Sequence, residues 1–518
     1  MIVIYHHKNK VVDSSKDDLA TIHKANTLSI VEFLFTLAKE HPEEILVWCH
    51  IQFKVQLNVA ELAELFPHKK LLVSYNPADT YFIDKRIGYV EESPFININK
   101  TVTYPTWQMS SMVGGIYGST LLALKKEMIH DHNFDYFLCS LAKLGMPKGL
   151  LCYSEPRLLI KSVVTVNSKA SLFTLFRFVK QHYKTRWVFL LLGNIMVYER
   201  KLPLAPLLLS LFYKNRNNNR LNLGAIKVQS SRKVVDKATI DVIIPTIGRK
   251  AYLYDVLCDL RNQTHLPATV IIVEQNPQSD SISELDYVSN ERWPFAIKHT
   301  FTHQAGACNA RNLALEQVES EWVFLADDDI RIQNNFLEKA LESINKFGLK
   351  AVSLSCLQQG EKQTYKNVFQ WGSFGSGCSI VLGDSLKHCK FNMGYEFGFG
   401  EDGDFGRQLR NQGIDVLYLP EPQILHLKAP MGGFRTKPIL AWHNDPIQPK
   451  PSPTVMLYQI LHNTQEQLLG YKTILFFKYY KYQKIKNPIK YYRNFQKQWN
   501  SSVFWANELR SKQQLESI

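Results

Sequence analysis

Three features are missing from this sequence, and each absence excludes a class of protein. The eight cysteines are scattered, without a Cys-x-x-Cys pair or regular spacing, so they predict reduced cytosolic thiols and neither a disulfide framework nor a zinc site. The apolar stretch Met1–Tyr5 is far too short for a signal peptide or a membrane span, so export is not expected. Motifs of nucleic-acid-binding modules are also missing, and nucleic acid is not an expected partner.

Length and composition indicate a large globular protein with a positive surface. The 518 residues are enough for two or three domains, and a hydrophobic content of 45% is ordinary for such domains. The net charge of +14 suggests a negatively charged partner, and the chain past Pro453 is both basic and aromatic. Three interpretations of this tail stay open: a solvated helix face that packs its aromatics on the protein, an anionic membrane surface, or single-stranded nucleic acid, which the missing motifs disfavour.

The most informative stretch is Trp322–Asp329, in which an apolar run leads into three adjacent aspartates with no basic residue directly beside them. A short apolar run bounded by polar residues is typical of a buried parallel strand, and ligands bind outside the carboxyl ends of such strands. Oxygen-only clusters suit hard cations such as Mg²⁺ or Mn²⁺, which also bind phosphates. The alternative is a solvated acidic loop.

A second acidic segment, Glu401–Arg410, has the pattern of a helix start. Acidic residues occupy its first turn, Phe405 and Leu409 share one face, and Gly413 ends the helix. The positive helix end favours an ionised Asp402, as a general base requires. The alternative is that these acids only complement the helix dipole.

A third element is His426, which follows the apolar strand at Val416–Leu419. An imidazole added to carboxylates favours Mn²⁺ over Mg²⁺, although a lone histidine after a strand is often structural. Beyond it, Gly432 and Gly433 precede Arg435, and this segment predicts a mobile loop that closes over phosphate.

In this order, the segments of residues 238 to 436 resemble the inverting glycosyltransferases of family 2, which have a Rossmann-like α/β GT-A fold that binds nucleotide sugars. The resemblance also includes a first strand with its turn, a second strand that ends in an acid, and a glycine-to-Arg-Asn segment. These three motifs are Asp241–Arg249, Val270–Asn276 and Gly306–Asn312. Gln275 departs from the acid that is commoner there, which leaves the nucleotide base open.

The resemblance implies a role for each matching residue. Asp402 would be the catalytic base, with Glu401 as the second candidate. Asp327, Asp329 and His426 would hold Mn²⁺ or Mg²⁺. The residues implied in donor binding are Pro245, Thr246, Arg249, Glu274, Asn276, Arg311, Asn312, Asp327 and Asp328. The residues implied in acceptor binding are Trp371, Gly375 and Gly377, where glycines permit close backbone approach. Arg311, or Arg435 on the loop, would share the charge of the departing diphosphate.

The function that this resemblance implies is transfer of a sugar, with inversion, from a nucleotide-diphosphate sugar to a glycan or lipid-linked acceptor, as in surface polysaccharide synthesis. The expected location is cytoplasmic, with peripheral attachment to the inner face of the membrane left open. The alternative class is a non-catalytic scaffold that binds nucleotide sugars or glycans. A nucleotidyltransferase on a related fold would also use aspartates and a metal, but it leaves Glu401 and Asp402 without a purpose.

The first 160 residues share features with the catalytic part. Phe134–Gly145 aligns with Asp402–Gly413, and Glu44–His50 resembles the strand that leads to the aspartates. The carboxylates are missing, because Trp48, Cys49 and His50 stand near the acidic positions and Asn133 precedes Phe134 where Glu401 precedes Asp402. We therefore predict a degenerate, non-catalytic GT-A-like domain at 1–160, with an unrelated α/β domain as the alternative. A helical segment and linker at 161–237, the catalytic domain at 238–436 and a basic, aromatic, helical extension at 437–518 complete the predicted order.

Overall fold

The structure is a computed structural model that describes residues 1–16, 20–21, 29–124, 131–161, 169–217, 221–429 and 438–516. It divides into a first unit, Met1–Arg232 with Thr464–Leu475, and a second unit, Lys233–Asn463 with Phe476–Ile518. Each unit contains its own sheet with helices.

The strands of the first unit are β1 (Ile2–His7), β2 (Lys10–Lys16), β3 (Ala20–Thr21), β4 (Ile45–His50), β5 (Leu71–Tyr75), β6 (Tyr104–Pro105), β7 (Val113–Tyr117) and β8 (Leu151–Ser154). Its helices are α1 (Ile30–Glu40), α2 (Leu62–Leu65), α3 (Gly118–Leu124), α4 (Phe134–Gly145), α5 (Leu172–His182), α6 (Arg186–Glu199) and α7 (Leu204–Leu211). The strands of the second unit are β9 (Ile240–Thr246), β10 (Thr269–Gln275), β11 (Ala296–Thr302), β12 (Trp322–Ala326), β13 (Ile330–Arg331), β14 (Ala351–Gln358), β15 (Phe369–Gln370), β16 (Cys378–Leu382) and β17 (Leu417–His426). The remaining helices are α8 (Lys250–Arg261), α9 (Tyr287–Asn290), α10 (Ala307–Leu315), α11 (Phe336–Phe347), α12 (Gly383–Leu386), α13 (Glu401–Asn411), α14 (Pro453–His462), α15 (Gln465–Tyr482) and α16 (Pro488–Glu516).

The sheet of the second unit runs in the order β11-β10-β9-β12-β16-β14-β17-β13, and β15 pairs with β17. Strands β9, β10, β11 and β12 are parallel, whereas β16 is antiparallel to both β12 and β14. The apolar run Trp322–Ala326 is a fully buried strand, as predicted. Because β9 and β12 are parallel, Thr246 and Asp327 emerge at the same edge of the sheet.

The sheet of the first unit shares this path. Its strands β1-β4-β7-β5-β8-β6 correspond in order, in chain sequence and in the sense of every pairing to β9-β12-β16-β14-β17-β15. The units differ at the next strand, since β2 runs antiparallel to β1 whereas β10 runs parallel to β9. The shared path supports the hypothesis of a degenerate copy, which stays a proposal.

The edge of the first sheet that corresponds to the aspartate cluster is filled by aromatic side chains. His50 follows the last residue of β4 that pairs with β7, as Asp327 follows the last residue of β12 that pairs with β16. Trp48 and His6 each pack edge-to-face on Phe134, and all three side chains are buried. A side chain at Gly114 would collide with Trp48, because an added Cβ would lie 2.4 Å from the indole.

The helices α5, α6 and α7 belong to the core of the first unit. Leu175 and Phe176 of α5 and Leu191 of α6 are fully buried in the same apolar cluster as the first sheet. The first unit therefore extends to Arg232, whereas the sequence pattern placed the end of the first domain near residue 160. The reason is that the apolar faces of these helices need the sheet and its helices to cover them.

The aromatic tail is helical, and its aromatic residues divide between two environments. Tyr491, Phe495 and Trp499 recur at helical spacing on α16 and are buried. Phe477 and Tyr482 of α15 stay exposed. Packing of aromatics on the protein, one of the three interpretations of this tail, therefore accounts for the buried face of α16. Within the residues described, none of the helices combines the length and apolar content that a membrane crossing requires.

Candidate active site

A cavity of about 460 Å³ lies in the second unit, outside the carboxyl ends of β9 and β12. This is where parallel α/β sheets bind ligands. The predicted site residues that line it are Pro245, Thr246, Arg249, Arg311, Asp327, Asp328, Asp329, Glu401 and His426.

The structure brings the three predicted metal ligands together. Ligand atoms of Asp327, Asp329 and His426 all lie within 4.8 Å of one another, and His426 Nε2 lies 3.3 Å from Asp329 Oδ1. Antiparallel pairing of β13 with β17 sets this geometry, because Ile330 stands opposite His426. Two carboxylates with one imidazole are a donor set that can hold a divalent ion, so the residues present fit the predicted Mn²⁺ or Mg²⁺.

Hydrogen bonds hold Asp329 in its ionised form. Burial acts to raise the pKa of this carboxyl, but hydrogen bonds from His426 and from the Ala429 amide (3.0 Å) outweigh it, and the pKa lies below its ordinary value. The same contact with Asp329 raises the pKa of His426. A divalent cation would compete with that proton, since metal binding requires neutral imidazole.

Two arginines neutralise the charge of the three consecutive aspartates. In the sequence, no basic residue stands directly beside these aspartates. Arg249 Nη1 lies 2.6 Å from Asp328 Oδ1 and 3.1 Å from Asp329 Oδ2, and Arg311 Nη2 lies 3.2 Å from Asp327 Oδ1. The expectation that the carboxylates lack a basic neighbour is therefore wrong in three dimensions. Arg249 follows β9 and Arg311 lies on α10, so the fold supplies charges that local sequence does not.

Asp328 anchors the turn after β9. Its carboxylate accepts hydrogen bonds from Thr246 Oγ1 at 2.7 Å and from Arg249 at 2.6 Å. Burial raises the pKa of Asp328 to about 6, against the opposing effect of Arg249. Through these contacts, Asp328 positions the side chain of Arg249.

The acidic pair lies in the first turn of α13, as predicted. Gly400 precedes the helix with a positive φ of 125°, and Gly413 follows it in a left-handed conformation. Asp402 Oδ1 accepts a hydrogen bond from the Ser376 amide at 3.1 Å, while Glu401 lines the cavity. Burial raises the pKa of Asp402, and Arg311 only partly offsets this effect. The helix end was expected to favour the ionised form, and burial overrides it.

Gly377 explains one of the predicted glycines. A Cβ at this position would lie 2.0 Å from Asp327 Oδ2, so the aspartate packs directly on the glycine backbone. At Gly375 an added Cβ would lie 2.5 Å from Cys378 Sγ. Trp371 lies in an aromatic cluster with Tyr365 and Tyr418, outside the cavity wall formed by the described residues.

Three predicted donor-binding residues also lie outside that wall. Glu274 accepts hydrogen bonds from Ser283 Oγ (2.6 Å) and contacts His299 Nε2 (3.0 Å). The Asn276 side chain accepts a hydrogen bond from the Gln278 amide, and Asn312 bonds both the amide and the carbonyl of Phe391. Consecutive side chains of a strand point to opposite faces, which turns Glu274 away from the cavity.

Gln275, the residue that departed from the family pattern, faces the cavity instead. Its Oε1 accepts a hydrogen bond from the Gly306 amide at 2.6 Å. The predicted loop residue Arg435 lies outside the described residues.

Glu396 is a cavity residue that the sequence did not reveal. Its carboxylate accepts hydrogen bonds from the amides of Cys308 (3.1 Å) and Asn309 (2.8 Å) at the start of α10. Gly306, with φ +152°, lets this carboxylate approach, since an added Cβ would lie 2.4 Å from Glu396 Oε2. Gly306 is the local signal in the sequence, because a glycine permits another group to approach the backbone closely, but it does not identify that group as Glu396.

Comparison with known proteins gives a family for this region. Residues 241–389 match the model of glycosyl transferase family 2. An uncharacterized glycosyltransferase of Haemophilus influenzae (strain ATCC 51907 / DSM 11121 / KW20 / Rd) is 22% identical over 164 residues, a match that covers 29% of this chain and 65% of that protein. The match therefore spans less than two thirds of the relative.

Solved structures of low similarity were also found. S. aureus TarS 1-349 in complex with UDP-GlcNAc is 18% identical with a TM-score of 0.34, covering 47% of this chain and 73% of that chain. GalNAc-T7 with UDP, GalNAc and Mn²⁺ is 12% identical with a TM-score of 0.37, covering 50% and 55%. Because both TM-scores are low, neither resemblance bears on the function of this chain. Residues 241–389 of the second unit therefore match glycosyl transferase family 2, whose members have the GT-A fold.

Proposed function

We propose that this protein is a metal-dependent inverting glycosyltransferase. It moves a sugar from a nucleotide-diphosphate sugar to a hydroxyl of a glycan or lipid-linked acceptor, in the synthesis of a surface polysaccharide. The observation that carries this proposal is the convergence of Asp327, Asp329 and His426 within 4.8 Å on the wall of a cavity that Glu401 also lines.

The donor side of the reaction requires neutralisation of a diphosphate leaving group. Asp327, Asp329 and His426 would hold the divalent ion, which supplies Lewis-acid stabilisation of the leaving group's charge when bound. The imidazole favours Mn²⁺ over Mg²⁺. Arg311 is buried beside Asp327 and adds a fixed positive charge to the same wall.

The acceptor side requires a base. Asp402 accepts the proton of the attacking hydroxyl as the glycosidic bond forms, and the bond from the anomeric carbon to the diphosphate breaks. The raised pKa of Asp402 brings its basicity closer to neutral pH, where a general base is most effective. Its hydrogen bond from the Ser376 amide fixes the orientation of the carboxylate. A single displacement at the anomeric carbon would invert its configuration, as the resemblance to the inverting family implies.

The first unit has no catalytic role in this proposal. His50 stands where the second unit has Asp327, and Trp48 and Phe134 fill the space with apolar surface. We propose that it is a degenerate GT-A-like copy without catalytic power. The protein acts in the cytoplasm, at the inner face of the membrane where lipid-linked acceptors are found.

A donor screen tests the proposed function. The full chain is incubated with a panel of nucleoside-diphosphate sugars and Mn²⁺, and release of nucleoside diphosphate is followed before and after a chelator is added. The expected result is hydrolysis of one donor class that stops with the chelator and returns with excess Mn²⁺. Binding of a donor without any release in the presence of acceptor glycans would favour the scaffold and overturn the proposal.

A further inference from the structure

The helices α6 and α7 carry an apolar surface on the first unit. We call it the hairpin surface, and its residues are Phe189, Met196, Val197, Leu202, Leu204, Leu208, Leu209 and Phe212. The side chains of Val197, Leu208 and Phe212 are 69%, 57% and 85% exposed. Exposed large apolar residues at this density on one helical hairpin indicate a binding surface, because scattered single residues would be ordinary.

The exposed residues do not belong to the faces of α6 and α7 that pack on the core of the first unit. Val188, Leu191 and Ile195 form the inner face of α6 and are fully buried, and Leu207 of α7 is buried as well. Both faces of the hairpin are thus apolar, although only one is covered by the first unit. A helix that is apolar on both faces requires an apolar environment on the second face too.

The charge of the residues around the hairpin surface indicates which apolar environment covers it. The segment from Lys184 to Lys214 contains five basic residues and one acid. The acid, Glu199, is bound to Arg86 at 2.8 Å and also lies 3.7 Å from Lys201, so it offsets part of the charge of that lysine and leaves the other four basic residues to flank the hairpin surface. The basic residues are exposed and flank the helices: Lys184, Arg186, Arg200, Lys201 and Lys214.

We propose that the hairpin surface inserts into the interface of an anionic phospholipid membrane. The apolar side chains enter the boundary of the acyl chains, and the flanking lysines and arginines bind the headgroups. The hairpin lies in the plane of the membrane, because α6 has 14 residues and α7 has 8, whereas a span needs about 20.

A second copy of this chain is the rival occupant, and charge disfavours it. A twofold contact would place each cationic rim against the same rim of its partner, which like charges oppose. An anionic lipid surface complements both the apolar centre and the positive edge.

Vesicle co-sedimentation tests the proposal without any sugar or metal. The full chain is mixed with vesicles of phosphatidylcholine and phosphatidylglycerol at a roughly 7:3 ratio, and with vesicles of phosphatidylcholine alone. The expected result is binding to the anionic vesicles that weakens with added salt. The double variant Leu208→Asn with Phe212→Asn should lose at least about tenfold in partitioning. The control is Val55→Asn, which changes a side chain of the first unit that is 87% exposed, and it should bind as the wild type.

Thermal melting establishes that the double variant folds, and sedimentation velocity measures self-association in the same samples. Lys201→Glu with Lys214→Glu, which keeps the apolar centre, should lose the preference for anionic vesicles. A wild-type chain that ignores anionic vesicles, or a double variant that binds them equally, overturns the proposal. The proposal is also overturned if the wild type forms a dimer, the double variant is a monomer, and vesicle binding is absent. Membrane insertion of the hairpin surface rests on the membrane location proposed above. Asp402→Asn should bind vesicles as the wild type does. Vesicle binding and sugar transfer can therefore fail independently of each other.

Discussion

Arg249 joins two of the three consecutive aspartates, with Nη1 2.6 Å from Asp328 Oδ1 and 3.1 Å from Asp329 Oδ2. One guanidinium therefore holds the turn after β9 against the end of β12 and fixes the orientation of a proposed metal ligand. Arg249 is 10% exposed and Asp328 is 5% exposed at the side chain, so the pair is shielded from solvent.

Arg249→Met is predicted to destabilise the protein. It leaves the buried carboxylate of Asp328 without its cation, and removal of one partner of a buried pair costs about 3 to 5 kcal/mol. Urea unfolding of the variant measures the change. The double variant Arg249→Met with Asp328→Asn should recover most of the loss, because position 328 then carries no buried charge and Asp329 keeps its contact with His426. A double variant as unstable as the single one would contradict this role.

Asp402→Asn is predicted to abolish transfer while leaving donor binding unchanged. A missing general base costs about two to four decades in rate. The measurement is kcat of sugar transfer beside the Kd of the nucleoside diphosphate. Glu401→Gln is the matched comparison, and it should lose less, since Glu401 is the second candidate. If Glu401→Gln lowers kcat more than Asp402→Asn does, the base is Glu401.

The acid limb of the pH–rate profile is predicted to lie above the ordinary aspartate pKa of 3.8. Burial raises the pKa of Asp402, and only the deprotonated form accepts a proton, so activity falls as pH decreases through this raised pKa. The Ser376 amide, which donates a hydrogen bond to Asp402, opposes this rise in pKa without cancelling it. A profile that stays flat down to the ordinary aspartate range would exclude Asp402 as a buried base.

Gly377→Ala is predicted to displace Asp327 and weaken donor binding. The added Cβ would lie 2.0 Å from Asp327 Oδ2, a distance that requires either the aspartate or the strand start to move. The control is Gly193→Ala on α6, where, apart from its chain neighbours and the adjacent helix backbone, no described atom lies within 4 Å of the added Cβ. The control should gain up to about 1 kcal/mol from helix propensity. Equal nucleoside-diphosphate affinity in both variants would show that Asp327 does not need the close approach.

Much of the fold and part of the site could be predicted because their signals are local. The buried strand before Asp327 follows from its apolar run, and α13 follows from its acidic first turn and Gly413. The family resemblance matches His426 to the aspartates, and the pairing of β13 with β17, whose last residue is His426, brings it to them.

The rest depends on contacts between distant segments. Arg249 and Arg311 reach the aspartates only because parallel strands and α10 converge at one sheet edge. Glu396 caps α10 from a separate turn, and the strand pleat turns Glu274 away from the cavity while Gln275 faces it. A family pattern marks positions along a strand, but the face on which each side chain lies depends on the pleat.

The most direct test of the central claim is a Mn²⁺ titration followed by electron paramagnetic resonance, in which bound Mn²⁺ loses the signal of the free ion. The wild-type chain with nucleoside diphosphate should bind Mn²⁺, and Asp329→Ala and His426→Ala should each weaken that binding by at least about tenfold. Asp384→Asn, which changes an exposed acid on α12, should bind as the wild type. Mn²⁺ affinity that is the same in the wild type, Asp329→Ala and His426→Ala would contradict the proposed metal site.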